Sequence, residues 1–188
     1  MAVKYKEENQ ALYLKDVTLY WASILQPKPN YAGDANEYIA NVIVSPSDAK
    51  ALKRIKLNKE LKEIGVDVDE NLEMYSDYEG SFLLKAKCPE FTKKGKKLQI
   101  KVVDKEGQAI TQNVGNGSKA NLKFFVWVAT TGAAKGKLNS RLNVVQVTDL
   151  VPYDDASGGF DDELGIDLST SDNTAIGDDF DDDIPFDD

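Results

Sequence analysis

Apolar and polar residues alternate with a period of two along several stretches of this chain. In the clearest of them, Leu122, Phe124 and Val126 lie on one face and the residues between them lie on the other. This period, with β-branched and aromatic residues, is typical of a strand that is buried on one side. Patterns of this kind predict strands over residues 11–24, 37–44, 80–88, 96–103, 119–129 and 137–151.

One segment has the pattern of a helix instead. Ser45 is followed by Pro46 and then by Asp48, which is the arrangement of an N-cap, a first-turn proline and a capping-box acid. The apolar spacing that follows predicts a helix to about Ile64, and Gly65 would end it. We interpret its lysines, at positions 50, 53, 56, 59 and 62, as a solvated face because acidic residues interleave with them.

These elements predict a mainly-β fold. Five or six short strands with one inserted helix favour a small closed barrel of the OB type over a two-sheet sandwich. Residues 26–33 contain two prolines and a glycine, which predicts an irregular loop after the first strand. A body of residues 1–152 is long enough for one domain with one core.

Charge divides the chain into two parts. Residues 1–152 hold all 23 basic and 18 of the 32 acidic residues, a net charge of +5, whereas residues 153–188 hold 14 acidic and no basic residues, a net charge of −14. The acidic part has too little apolar surface to offset its chain entropy, so we expect a disordered tail. A basic body with an acidic arm indicates a polyanion-binding domain with an interaction tail.

Composition excludes several classes of chemistry. Histidine is absent, which removes imidazole catalysis and most zinc sites. The single cysteine, Cys88, stands in an alternating run and is expected to be a core residue. No apolar run is long enough to span a membrane and the first residues do not resemble a signal peptide, so we expect a cytoplasmic protein. We expect no catalytic residue, no metal and no cofactor.

A binder of single strands needs cations for phosphates and rings for base stacking. Lys123, Phe125 and Trp127 alternate on one strand face, which either stacks on bases or packs against the helix. Tyr31 and Phe91 fall in predicted loops, where rings are seldom fully buried. Phosphate contacts are expected from Lys28, Lys93, Lys94, Lys96 and Lys97, with Lys85, Lys87 and Lys101 extending the track and Arg141 adding a guanidinium plane.

Four segments occur in an order that resembles the single-stranded DNA-binding proteins of T7-like and related tailed phages. They are Gln-Pro-Lys-Pro-Asn-Tyr at 26–31, Ile-Val-Ser-Pro at 43–46, Val-Val-Asp-Lys-Glu-Gly at 102–107 and Gly-Asn-Gly-Ser-Lys at 115–119. The resemblance implies an OB-fold that binds and protects single strands in phage replication, recombination and repair. It also implies location in the host cytoplasm and is compatible with a homo-oligomer.

The end of the acidic part resembles the tail tip of bacterial single-stranded DNA-binding proteins. The residues that carry this likeness are Asp181, Asp182, Asp183, Ile184, Pro185 and Phe186. The likeness implies recruitment of replication proteins such as a polymerase or a helicase-primase. Asp187 and Asp188 follow the phenylalanine that usually ends such tails, which leaves the partner open. A tethered polyanion is also expected to compete with DNA for the basic body.

Two other classes of function are weighed against this one. Asp104 and Glu106 could serve a metal-dependent nuclease, but a turn at Asp104–Gly107 explains them more simply. The acidic tail lacks the spacing of an EF-hand. The remaining alternative is an acidic-tailed interaction module or chaperone that does not bind nucleic acid.

Overall fold

A computed structural model describes residues 3–67 and 75–153, and the compact body runs to Tyr153. This part of the chain has eight strands, one α-helix and two 3₁₀ turns. The strands are β1 (Val3–Lys6), β2 (Ala11–Pro29), β3 (Asn36–Val44), β4 (Leu61–Glu63), β5 (Phe82–Pro89), β6 (Lys101–Val103), β7 (Lys119–Val128) and β8 (Leu138–Asp149). The helix α1 is Pro46–Arg54, and the 3₁₀ turns are Ser76–Tyr78 and Gly132–Ala134.

All eight strands belong to one sheet. Its order is β4-β5-β3-β2-β7-β8-β6, and β1 pairs with β2 beside this path. Every pairing is antiparallel except the parallel pairing of β6 with β8. The mainly-β fold with one inserted helix is confirmed. The predicted closure of the barrel is not complete: β5 and β8 approach each other without a hydrogen-bonded ladder, so the sheet is open at this point.

Alternate residues of the long strands fill the core. Leu12, Leu14, Leu122, Phe124 and Val126 are all buried, as the period of two predicted. Packing the apolar sides of the curved sheet together removes them from water, which is the main stabilising contribution to such a fold. Cys88 is buried in the same cluster, in agreement with its predicted role as a core residue.

The helix is shorter than predicted. Ser45 caps it, with its Oγ accepting from the backbone N–H of Asp48, but it ends at Arg54 rather than near Ile64. Lys56 has a φ of 55°, which takes the chain out of the helical path. The following residues pair with the start of β8 and with β5 instead. Here tertiary hydrogen bonds override the helical spacing of the apolar residues.

Two strand boundaries also differ from the sequence prediction. β2 continues to Pro29, into the first part of the loop predicted over 26–33, because register shifts between Ser23 and Lys28 accommodate Pro27, which has no N–H to donate. The strand predicted over 96–103 is paired with β8 only at Lys101–Val103. β1 was not predicted because a strand of four residues is too short to establish a period. β4 was not predicted because its residues were assigned to the helix. No described helix is long and apolar enough to cross a membrane.

Candidate nucleic-acid interface

The outer side of β7 carries the predicted alternation of cation and rings. Lys123 and Phe125 are half-buried and Trp127 is 38% exposed, while the residues between them point into the core. The side of β7 that carries Lys123, Phe125 and Trp127 therefore faces outward. The ring and cation contacts described for it are with β2, β7 and β8.

Strand register extends this side into rows across the sheet. Lys123 lies opposite Tyr13 on β2 and Val144 on β8. Tyr13 in turn lies opposite Lys4 on β1, and Val144 lies opposite Lys101 on β6. Neighbouring strands are about 4.8 Å apart, and residues directly opposite each other point to the same side of the sheet. One row therefore joins lysines from three strands to a tyrosine ring.

The next row brings rings and a guanidinium group into contact. Phe125 lies opposite Arg141, whose guanidinium carbon is 5.3 Å from the centre of the Phe125 ring. The Phe125 and Trp127 rings are stacked, with centroids 5.8 Å apart and planes inclined by 27°. Lys123 Nζ lies 5.7 Å from the centre of the Tyr13 ring. The two cation–ring distances are within the range of cation–π attraction and the ring pair is within the range of offset stacking, so both kinds of contact favour this arrangement of the rings.

We call this surface the aromatic face. Its members are Lys4, Lys6, Tyr13, Lys101, Lys123, Phe125, Trp127 and Arg141. Sequence reasoning identified the last five and missed Lys4, Lys6 and Tyr13. A signal for Lys4 and Lys6 was present, because Val3–Lys6 alternates, but a run of four residues carries little weight. Tyr13 lies in a predicted strand, but its side chain was not assigned to a face.

A second group of predicted residues lies on two hairpins. Lys28 and the fully exposed Tyr31 belong to the β2–β3 hairpin, and the half-exposed Phe91 begins a turn after β5. Glu90 connects the two hairpins. Its backbone N–H donates to the Asn36 carbonyl at 2.9 Å, and its Oε2 accepts from Asn36 Nδ2 at 3.0 Å. The exposed lysines of the turn are Lys93, Lys94, Lys96 and Lys97.

One of these turn lysines is partly neutralised. Lys97 Nζ lies 3.5 Å from a Glu90 carboxylate oxygen, and Phe91 forms a bridge with Lys97 across the turn. Tyr31 and Phe91 are therefore exposed rings on two joined hairpins, with cations beside them. This arrangement can guide a polyanion, but its rings are not fixed by the ring contacts that hold the aromatic face.

The outer side of β5 carries the remaining predicted cations. Lys85 is exposed, and Lys87 Nζ donates to Glu37 Oε1 at 2.6 Å. Lys59, which lies after α1, is close enough to interact with both members of this ion pair. Burial, with the nearby charge of Lys87, lowers the pKa of Lys59. Sequence reasoning missed Lys59 as a site residue because it assigned this position to a solvated helix face.

The carboxylates considered for a nuclease lie on the turn after β6. Asp104 Oδ1 accepts from the backbone N–H of Gln108 at 2.8 Å and closes the turn after β6. Glu106 lies 3.7 Å from Lys105 on the same turn. Within residues 3–67 and 75–153, no group of three metal-binding side chains comes together. The predicted tail contacts at 181–186 lie outside the described residues.

Comparison with known proteins gives matches at the level of structure. Neither protein-family profiles nor curated protein sequences match the chain. The single-stranded DNA-binding protein of bacteriophage Enc34, solved in complex with ssDNA, is similar with a TM-score of 0.52 and 14% identity, over 81% of this chain and 98% of that chain. Protein gp2.5 of bacteriophage T7, a single-stranded DNA-binding protein, gives 0.51 and 17% over 79% and 94%. The chain therefore has the fold of these phage single-stranded DNA-binding proteins, as the resemblance predicted.

Proposed function

We propose that this protein is a non-enzymatic, sequence-nonspecific binder of single-stranded DNA. The observation that carries the proposal is the contact series on the aromatic face, in which Arg141, Phe125 and Trp127 stack side by side on an outward sheet surface. Rings in this position can receive unpaired bases, each worth about 1–3 kcal/mol. The surrounding lysines would neutralise phosphates.

The chemistry of the aromatic face favours single strands over duplex. Flat rings need free base faces, which a duplex keeps inside its own stack. Stacking also accepts every base, because each has a π face, so no sequence preference is expected. The similar fold of a phage protein solved with ssDNA supports the same class of ligand.

The test is to remove one ring and measure binding to oligo(dT). Trp127→Leu is expected to weaken binding about 5- to 150-fold, the equivalent of losing about 1–3 kcal/mol of stacking. Trp21→Leu is the matched control, because Trp21 is half-exposed and is not part of the aromatic face. Equal affinity of the Trp127 variant and the unchanged protein would contradict the proposal.

The acidic tail adds two elements to the proposal. First, residues 153–188 compete with DNA for the basic body, since a tethered arm of charge −14 has a high effective concentration near a body of charge +5. Second, DNA binding releases the tip at Asp181–Phe186 to recruit replication, recombination or repair proteins. The protein would then protect single strands in the cytoplasm of a phage-infected host.

Neutralising the tail tests the competition. The full-length triple variant Asp181→Asn, Asp182→Asn and Asp183→Asn is expected to bind oligo(dT) more tightly at low salt. The difference should disappear at high salt, because exposed charges are screened beyond about 10 Å at 0.1 M. Unchanged affinity at low salt would refute competition and leave recruitment as the role of the tail.

A further inference from the structure

Two neighbouring clefts lie beside β5 and the start of β8, and six of the ten residues that line them together are lysines. The smaller, of about 210 Å³, is formed by Lys59, Glu60, Lys62, Leu83, Lys85 and Lys87. The larger, of about 490 Å³, is formed by Lys56, Leu57, Asn58, Lys59, Glu60 and Lys137. They share Lys59 and Glu60 in their linings, so they lie side by side. We call them together the lysine channel.

The early end of α1 builds this channel. After Lys56 turns away from the helical path, the Asn58 N–H donates to the Leu138 carbonyl at 2.8 Å and the Leu138 N–H donates to the Lys56 carbonyl at 2.9 Å. Leu57 forms a parallel bridge with Leu138. The chain then joins β5 through β4. These contacts place residues 56–62 between β5 and β8, where the sheet is open.

The channel has an excess of positive charge. Six lysines line it, and among its described lining residues only Glu60 is acidic. Glu37 neutralises Lys87 at the margin. Repulsion from Lys87 adds to burial in lowering the pKa of Lys59, which means that the positive charges destabilise each other. An anion in the channel would relieve this repulsion.

The lining indicates which part of a nucleic acid would fit. The apolar side chains of the channel are Leu57 and Leu83, and none of its lining residues is aromatic, so it offers no platform for base stacking. Lys85 and Lys87 are two residues apart on one strand, about 6.6 Å along it. A line of cations without rings suits the phosphates of an extended strand.

The channel is also joined to the aromatic face. Asn58 Nδ2 donates to Asn139 Oδ1 at 2.7 Å, and Asn139 lies directly opposite Trp127 on β8. A strand stacked on Trp127 therefore has the channel as its neighbour. Building on the proposed function, we infer that the lysine channel carries the sugar-phosphate backbone of the same single strand beyond the aromatic face.

The test compares short and long ligands. Full-length protein and the double variant Lys59→Gln/Lys85→Gln are titrated with oligo(dT) of about 4 and about 16 nucleotides, which span the site sizes of OB-folds. A third ligand carries about 4 thymidines followed by about 12 abasic units. We expect the double variant to bind both long ligands at least 5-fold more weakly and the short ligand unchanged. The slope of log affinity against log salt for the long ligands should fall by about 0.7 per lost contact.

The control variant is Lys50→Gln, which removes an exposed lysine of α1 outside the channel. Thermal unfolding of each variant confirms that the fold is retained. If the unchanged protein bound none of the ligands, the proposed function would fail and this inference with it. If it bound them all and the double variant bound the long ligands equally well, only the channel would be refuted. If the double variant lost affinity only for an acidic peptide of sequence 177–188 and for none of the oligonucleotides, the channel would be assigned to protein binding and the inference would be overturned.

Discussion

The aromatic face and the lysine channel present positive charge in different ways. On the aromatic face, cations lie beside rings, as Arg141 does over Phe125, and both are fixed by strand register. In the channel, lysines lie beside other lysines, and burial together with the nearby charge of Lys87 lowers the pKa of Lys59. The first arrangement is held by contacts within the protein, and under the proposed function it would receive bases. We expect the second to gain more from a bound phosphate.

The two surfaces also depend on the fold to different extents. Phe125 and Phe124 are neighbours on β7, one facing outward and the other fully buried. A regular strand keeps this alternation whatever is bound. The channel depends on a few hydrogen bonds between residues 56–58 and Leu138. Local substitutions should therefore separate the two surfaces.

The largest expected effect contrasts the two phenylalanines of β7. Phe124→Ala should lower the free energy of unfolding by about 3–5 kcal/mol, because it leaves a cavity in the core. Phe125→Ala should cost much less stability but should weaken oligo(dT) binding, since its ring is the one between Arg141 and Trp127. Urea denaturation and fluorescence titration of both variants measure the two quantities. Similar stability losses would mean that the assignment of faces is wrong.

The aromatic face could be predicted from the sequence because alternation is a local property. Lys123, Phe125 and Trp127 share a side by their spacing alone, and burial of Leu122 and Phe124 opposite them follows from the same period. What spacing could not supply was the register between strands. The row from Lys4 through Tyr13 to Lys101 joins residues far apart in sequence, and only the pairing of five strands brings them together.

The lysine channel was not predictable from local pattern. Leu57, Leu61 and Ile64 have helical spacing, and lysines interleaved with acids are usual on a solvated helix. The helix competes with another arrangement, in which residues 56–58 fill the open position between β5 and β8 by pairing with Leu138. The hydrogen bonds of this pairing can form only once the sheet is in place. A segment that leaves a helix early to complete a sheet therefore misleads any argument from periodicity.

A smaller effect is expected where the two surfaces meet. Asn58→Ala removes the hydrogen bond to Asn139 Oδ1 and should cost about 0.5–1.5 kcal/mol of stability. Because this bond holds the channel beside Trp127, binding of a 16-nucleotide ligand should weaken more than binding of a 4-nucleotide ligand. Asn113→Ala, an exposed asparagine before β7, is the control. Equal weakening of both ligands would show that the bond does not connect the surfaces.

The smallest expected effect concerns Glu37, which holds Lys87 at the margin of the channel. The pair is partly exposed, at 38% for the Lys87 side chain and 18% for Glu37, so Glu37→Gln should cost no more than about 1 kcal/mol of stability. The substitution frees Lys87 for phosphate and removes a carboxylate that would repel the sugar-phosphate backbone of the ligand. Affinity for a 16-nucleotide ligand should therefore rise up to about 5-fold. Glu106→Gln makes the same charge change beside Lys105, outside the channel, and should raise affinity less. Titration of both variants at low salt measures the difference. Only Glu37 would compete directly with DNA for a lysine of the channel. If both variants gained affinity equally, the change in net charge rather than the freed Lys87 would account for the gain.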